Sequence, residues 1–199
     1  MIRAILAGQK TQTRRVLRDQ NPIDLGAFVH GAHLSRRPVF DKIANAVIGH
    51  RLAPVSCPYG QPGDSLWVRE THAIVPRTAY RCSDGVQQVL RPDDDHDAAI
   101  FRASFDRSGN PGWRPSIHMP RWASRITLEI TGLRVERLQA ISEADAAAEG
   151  CPGGHGSIPG YAYSATPGEQ FIELWKSING ADSWAANPWV WVVDFRRQA

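Results

Sequence analysis

Apolar positions recur along this chain at two spacings, one helical and one extended. Ile2, Ile5 and Leu6 fall at i, i+3 and i+4, which predicts a short helix over 2–7. Gly8 follows it, where a helix usually stops. Phe171, Leu174, Trp175 and Ile178 repeat the helical spacing and predict a second helix over 168–178. Between them, Ser142 with Asp145 three residues on resembles a capping box and opens a run containing Ala146, Ala147 and Ala148, good helix formers that Gly150 and Pro152 end. Alternation at period two marks the strands. Leu66, Val68 and Glu70 oppose Trp67 and Arg69 after the turn at 61–64. A second strand is expected over 98–103. The clearest strand covers 124–138, where Ile126, Leu128 and Ile130 alternate with Thr127 and Glu129, with a bend or bulge expected at Gly132. A final strand covers 189–195.

The remaining stretches lack a sustained period. Residues 19–56 mix Gly, Pro, His and Arg and read as an irregular insertion with a short helix over 39–47. Asp93, Asp94 and Asp95 form an exposed link, and 151–168 is rich in Gly, Pro, Ser and Tyr. No internal repeat is visible. Strands outnumber helices and lie on both sides of them. The expected class is therefore α+β, a small barrel flanked or plugged by short helices.

Composition narrows the setting. Of 199 residues, 42% are hydrophobic and 22% charged, as in ordinary soluble globular proteins. The net charge of +3 permits a phosphate-bearing partner without demanding one. Cys57, Cys82 and Cys151 are odd in number and show no C-x-x-C spacing, which argues against a disulfide framework or a four-cysteine zinc site. No window approaches the roughly 20 apolar residues of a spanning helix, and the apolar start is too short for a signal peptide. A cytoplasmic protein without a membrane partner is expected.

Two segments could carry chemistry. The first runs from Lys10 to Arg18 and holds Arg14, Arg15, Thr11 and Thr13. It is either a solvated basic turn or a site for a phosphate, carbonyl or nucleobase. The second is the tract from Trp113 to Trp122, where Arg114, His118 and Arg121 interleave with aromatics and prolines. It is either a base-stacking surface or a rigid loop covering the barrel end. No Cys or His lies at ligand spacing from His118, so neither metal nor cofactor is expected.

The run Gly8-x-Lys10-x-x-x-x-Arg15 resembles the signature of the ASCH family, a branch of the PUA-like superfamily. Pro62-Gly63-Asp64-Ser65-Leu66-Trp67-Val68 resembles the family's turn and strand, 125–138 its long central strand, 138–150 its strand-to-helix passage, and 189–196 its closing strand. The enlarged form is similar to ASCH proteins encoded by phages and prophages. The resemblance implies one domain over 1–199, a PUA-like β-barrel with insertions at about 19–56, 72–97 and 151–167. It implies an amidohydrolase that removes the acyl group from N4-acylated cytosine or cytidine, such as N4-acetylcytidine. Its catalytic set falls on Lys10, Thr13 and Glu149. Arg15, Arg69, Glu70, His118 and Arg121 are the candidate substrate-binding residues.

The chemistry such a set would need can be stated independently. A Thr hydroxyl is a weak nucleophile without an adjacent base. Burial, or cations such as Arg14 and Arg15, would free the Lys10 lone pair for that task. Glu149 would hold the lysine, position water or protonate the departing nitrogen. Thr11 is a rival nucleophile. The partner would be a nucleobase or nucleoside, with RNA as a further one. An RNA-binding module without catalysis, or a ribonuclease, is the alternative reading.

Overall fold

The computed structural model describes residues 1–18, 20, 22–29, 32–41 and 46–198, the strands between 22 and 55 by their backbone. In chain order the elements are α1 (Ile2–Leu6), β1 (Gln12–Val16), β2 (Pro22–Val29), β3 (Ala32–Asp41), β4 (Ala46–Ser56), β5 (Ser65–Trp67), β6 (His72–Pro76), β7 (Gln88–Leu90), β8 (Asp97–Phe101), β9 (Thr127–Arg137), α2 (Glu143–Ala148), α3 (Pro167–Asn179) and β10 (Trp189–Arg197). Sheets with a few helices make the class α+β. No helix of the described residues is long and apolar enough to cross a membrane. The chain divides into two compact units. One comprises Met1–Gly8, Ser65–Leu128 and Arg197–Ala199; the other comprises Gln9–Asp64 and Glu129–Arg196.

The first unit is built around β8, the middle strand of the order β6–β8–β7. Both faces of β8 are covered, because its alternation is apolar on each side. Ile100 packs with Ala73, Val75 and Phe105, while Ala99 and Phe101 pack with Met119 and Ala123. The tract from Trp113 to Trp122 folds over these clusters. Trp113 meets Phe105 edge-on with ring centroids 5.1 Å apart, and Trp122 packs against the second cluster. In the same unit, the Val68 amide donates to the Ile126 carbonyl beside β5.

The second unit carries the strand order β1–β10–β9 and a separate antiparallel meander, β2–β3–β4. The helix expected over 39–47 is not formed. β3 runs to Asp41 and β4 begins at Ala46, pairing from Ala32↔Ser56 to Asp41↔Ala46, while 42–45 lie outside the described residues. Val39, Phe40, Val47 and Ile48 are residues that suit a pleated surface, and a partner strand decides their conformation.

The helices follow their local signals closely. Ser142 caps α2 by accepting from the Asp145 amide. Thr166 and Glu169 form a full capping box on α3. The Gly168 amide donates to the Glu143 carboxylate and so ties α3 to α2. Phe171 and Trp175 then bury one face of α3 against Leu138, Ala146, Cys151, Val190 and Val192. This cluster is the floor on which the polar residues described next are set.

Candidate functional site

Side chains on a strand alternate between faces, and β1 shows that alternation in charge. Gln12 and Arg14 are buried, whereas Thr13 is half-buried and Arg15 exposed. Pairing with β10 fixes which face is which. Arg14 lies opposite Val192, part of the helix-covered core, and Gln12 lies opposite Asp194. Lys10 precedes the strand on the same side.

Lys10 meets Glu149 at the end of α2. The two residues form an isolated antiparallel bridge, and the Thr11 amide donates to the Ala148 carbonyl. The Lys10 ammonium donates to the Glu149 backbone carbonyl at 2.8 Å and to Glu149 Oε2 at 2.5 Å. Lys10 is 5% exposed and Glu149 7%. An ammonium has three donors. Two are used here, and no third partner exists among the described residues.

The pair belongs to a wider network. Arg14 stands 3.5 Å from Glu149 Oε1 and donates to Gln12 and, at 2.6 Å, to Glu136. Gln12 donates to Asp145 and Asp194. Arg134 binds Glu136, Asp145 and Asp194 at once. Gly132 on β9 makes room for this, since a Cβ there would lie 3.0 Å from Asp194 Oδ2. Lys10, Arg14 and Arg134 thus face Glu136, Asp145, Glu149 and Asp194. Burial alone would raise the Asp145 carboxyl, but hydrogen bonds from Gln12 and Ser142 and the charges of Arg134 and Arg14 outweigh it and hold it low. Burial, with the Glu149 charge beside it, pushes the Cys151 thiol up.

The expected site residues therefore separate. Lys10 and Glu149 come together. Thr13 does not join them: it lies opposite Val193, on the face of β1 turned away from Gln12 and Arg14. Arg15 is exposed at the solvent end of the strand. In the first unit, Glu70 is 1% exposed and held by Nε and Nη2 of Arg125, at 2.9 and 2.8 Å. Arg69 and Arg121 are exposed, and both guanidiniums lie over the Trp67 ring. His118 is exposed at the end of a 3-10 turn, Ser116–His118. Among the described residues, no three His, Cys, Asp or Glu side chains are grouped to hold a metal ion.

Sequence reasoning missed most of the network. Gln12, Arg134, Glu136 and Asp194 were legible only as ordinary polar residues, Asp145 only as part of a helix cap, and Arg14 only as a cation near Lys10. One signal pointed to them: Lys10, Gln12 and Arg14 recur at period two, the spacing of one strand face. Comparison with known proteins adds no relative, since no family model, no curated protein and no solved structure matches the chain.

Proposed function

We propose that this chain is an amidohydrolase of the ASCH type, built on a PUA-like barrel, which removes the acyl group from N4-acylated cytosine or cytidine. One observation carries the reading: an ammonium and a carboxylate 139 positions apart in sequence are brought to 2.5 Å and nearly withdrawn from solvent. A buried ion pair is a poor way to fill a core. Apolar side chains of similar volume usually do as well or better. Its presence beside a third, uncommitted ammonium donor supports a chemical use.

In the reaction Glu149 carries the proton and Lys10 meets the developing charge. Water attacks the acyl carbonyl and gives a proton to Glu149. The Lys10 donor left free stabilises the carbonyl oxygen as it gains charge. The C–N4 bond then breaks, the cytosine N4 nitrogen takes the proton from Glu149, and the carboxylic acid leaves with the exocyclic amine restored. Thr13 is the attacking group by resemblance, but its place on the far face of β1 favours water held by Glu149.

Incubation of purified protein with N4-acetylcytidine, followed by separation of cytidine, tests the reading. Turnover is expected, and folded protein that releases no cytidine from any N4-acylcytosine would refute it. Thr13→Val is expected to retain turnover within about tenfold. Loss of about 100-fold or more, the scale of a positioned catalytic group, would return the attack to Thr13.

A further inference from the structure

The first unit holds a cavity of about 460 Å³ that the proposed hydrolysis does not use. Its walls come from the start of α1, from Glu70 and Thr71 ahead of β6, and from the 3-10 turn Arg102–Ser104 that follows β8. Main-chain carbonyls tie these segments together. The Arg102 amide donates to the Thr71 carbonyl at 3.0 Å, and Arg3 Nε donates to the Ala103 carbonyl at 2.9 Å. The walls are therefore pinned by the backbone itself.

Arg3 and Arg102 both line this cavity. Arg3 uses one N–H on Ala103, and Arg102 uses one on the Phe105 carbonyl at 3.3 Å. Most of the N–H groups of each guanidinium stay free. Neither has a carboxylate within ion-pair distance among the described residues. Glu70, the carboxylate in the wall, is already answered by Arg125, whose Nε and Nη2 meet its two oxygens. That pair is close to neutral, so the two free arginines set the sign of the cavity. Arginines without a carboxylate occur elsewhere on this surface. These two differ in sharing one concavity with the Thr71 hydroxyl, which has no hydrogen-bond partner among the described residues.

We infer that Arg3, Arg102 and Thr71 form a binding site for a small phosphate monoester in the first unit. A carboxylate ligand would bring one charge and leave one arginine unanswered. A phosphate monoester brings close to two at neutral pH, with acceptor oxygens that match the guanidinium fork. The volume falls within the roughly 300–1,000 Å³ of small-molecule sites, more than a bare ion fills. Ile2 and Ala103 supply an apolar wall for the organic part of the ligand. A sugar phosphate and a mononucleotide both carry this chemistry.

Isothermal titration calorimetry of the full chain with ribose 5-phosphate, AMP and unphosphorylated ribose tests the inference. Both phosphate esters are expected to bind and ribose is not. Tighter binding of AMP assigns the site to a mononucleotide, and equal or tighter binding of ribose 5-phosphate assigns it to a sugar phosphate. Arg3→Gln and Arg102→Gln should each weaken binding by about tenfold or more, the scale of a hydrogen bond to a charged group. Thr71→Asp removes no side-chain hydrogen bond of the described chain and sets a negative charge in the cavity. It should abolish binding, and it stands in for an arginine variant that fails to fold. Arg107→Gln, at an exposed arginine outside the cavity wall, should leave affinity unchanged. No binding of either ester, equal binding of ribose, unaltered affinity in the folded cavity variants, or an equal loss in Arg107→Gln would each overturn the inference. Ribose 5-phosphate carries no amide, so its binding and the turnover of N4-acetylcytidine are read out separately and either can fail without the other.

Discussion

At the scale of single residues, Lys10 and Glu149 can be read as structural or as chemical, and the two readings predict different mutants. Glu149→Ala leaves a buried ammonium without its carboxylate, a loss of the kind that costs about 3–5 kcal/mol. Such a variant reports on stability and not on chemistry. The double variant Lys10→Met/Glu149→Leu removes both charges together. Arg14 keeps Glu136 and Asp145 as partners, so no cation is left alone. The double variant is expected to melt within a few degrees of wild type while turnover of N4-acetylcytidine disappears. Differential scanning calorimetry beside the activity assay checks this, and a large fall in melting temperature would assign the pair to structure. Lys10 and Glu149 were legible in sequence only through the ASCH resemblance. Their residue types alone describe a basic turn and a helix-end carboxylate. The neighbours that anchor them were hidden for a physical reason: a charged residue on a strand looks exposed until its partner, often more than a hundred positions away, is known.

At the scale of elements, local signals succeeded where local energies dominate. The cap of α2, the amphipathic spacing of α3, the alternation of β9 and the apolar run of β10 are all written within a few residues. The β2–β4 meander was read as an irregular insertion because it mixes Gly, Pro, His and Arg without a sustained period, and its strands carry Pro22, Pro38 and Pro54. Proline cannot donate to a ladder and lowers any strand reading, and pairing across the sheet overrides it here. One short connection has a sharp requirement. Gly153 has φ +75, and a Cβ there would sit 2.6 Å from the Ala165 carbonyl oxygen. Gly154 exchanges hydrogen bonds with Ala165 at the same place. Gly153→Ala must therefore meet both the left-handed penalty of about 1–2 kcal/mol and a backbone collision. Urea denaturation should show a loss at least that large, and an unchanged midpoint would mean that the turn relaxes freely.

At the scale of the whole molecule, acid sensitivity should come first from His72. It is fully buried, its Nδ1 lies 3.2 Å from the Glu70 carbonyl, and its Nε2 has no partner among the described residues. Burial holds the imidazole below its ordinary 6.5, and the charges of Arg114 and His118 push the same way against the Glu70 carbonyl. The unfolded chain thus binds a proton that the folded chain refuses, so stability is lost as pH falls below about 6.5. The Asp145 carboxyl, held low, contributes in a separate window below its ordinary 3.8. Melting temperature is expected to drop between pH 7.5 and 5.0, with the drop reduced in His72→Gln. An equal drop in that variant would place the sensitivity elsewhere. The α+β class was legible from strand and helix periods, but the division into two units was not, because the chain passes from one to the other and returns. That return has a consequence in time. β1 is held by β10, with Gln12 opposite Asp194. A ribosome adding about 5–20 residues per second takes roughly 9–36 s to travel between them. Through that interval a nascent chain carries Lys10 without the strand that seats it. The β1–β10 pairing, on this geometry, can form only after β10 has been made.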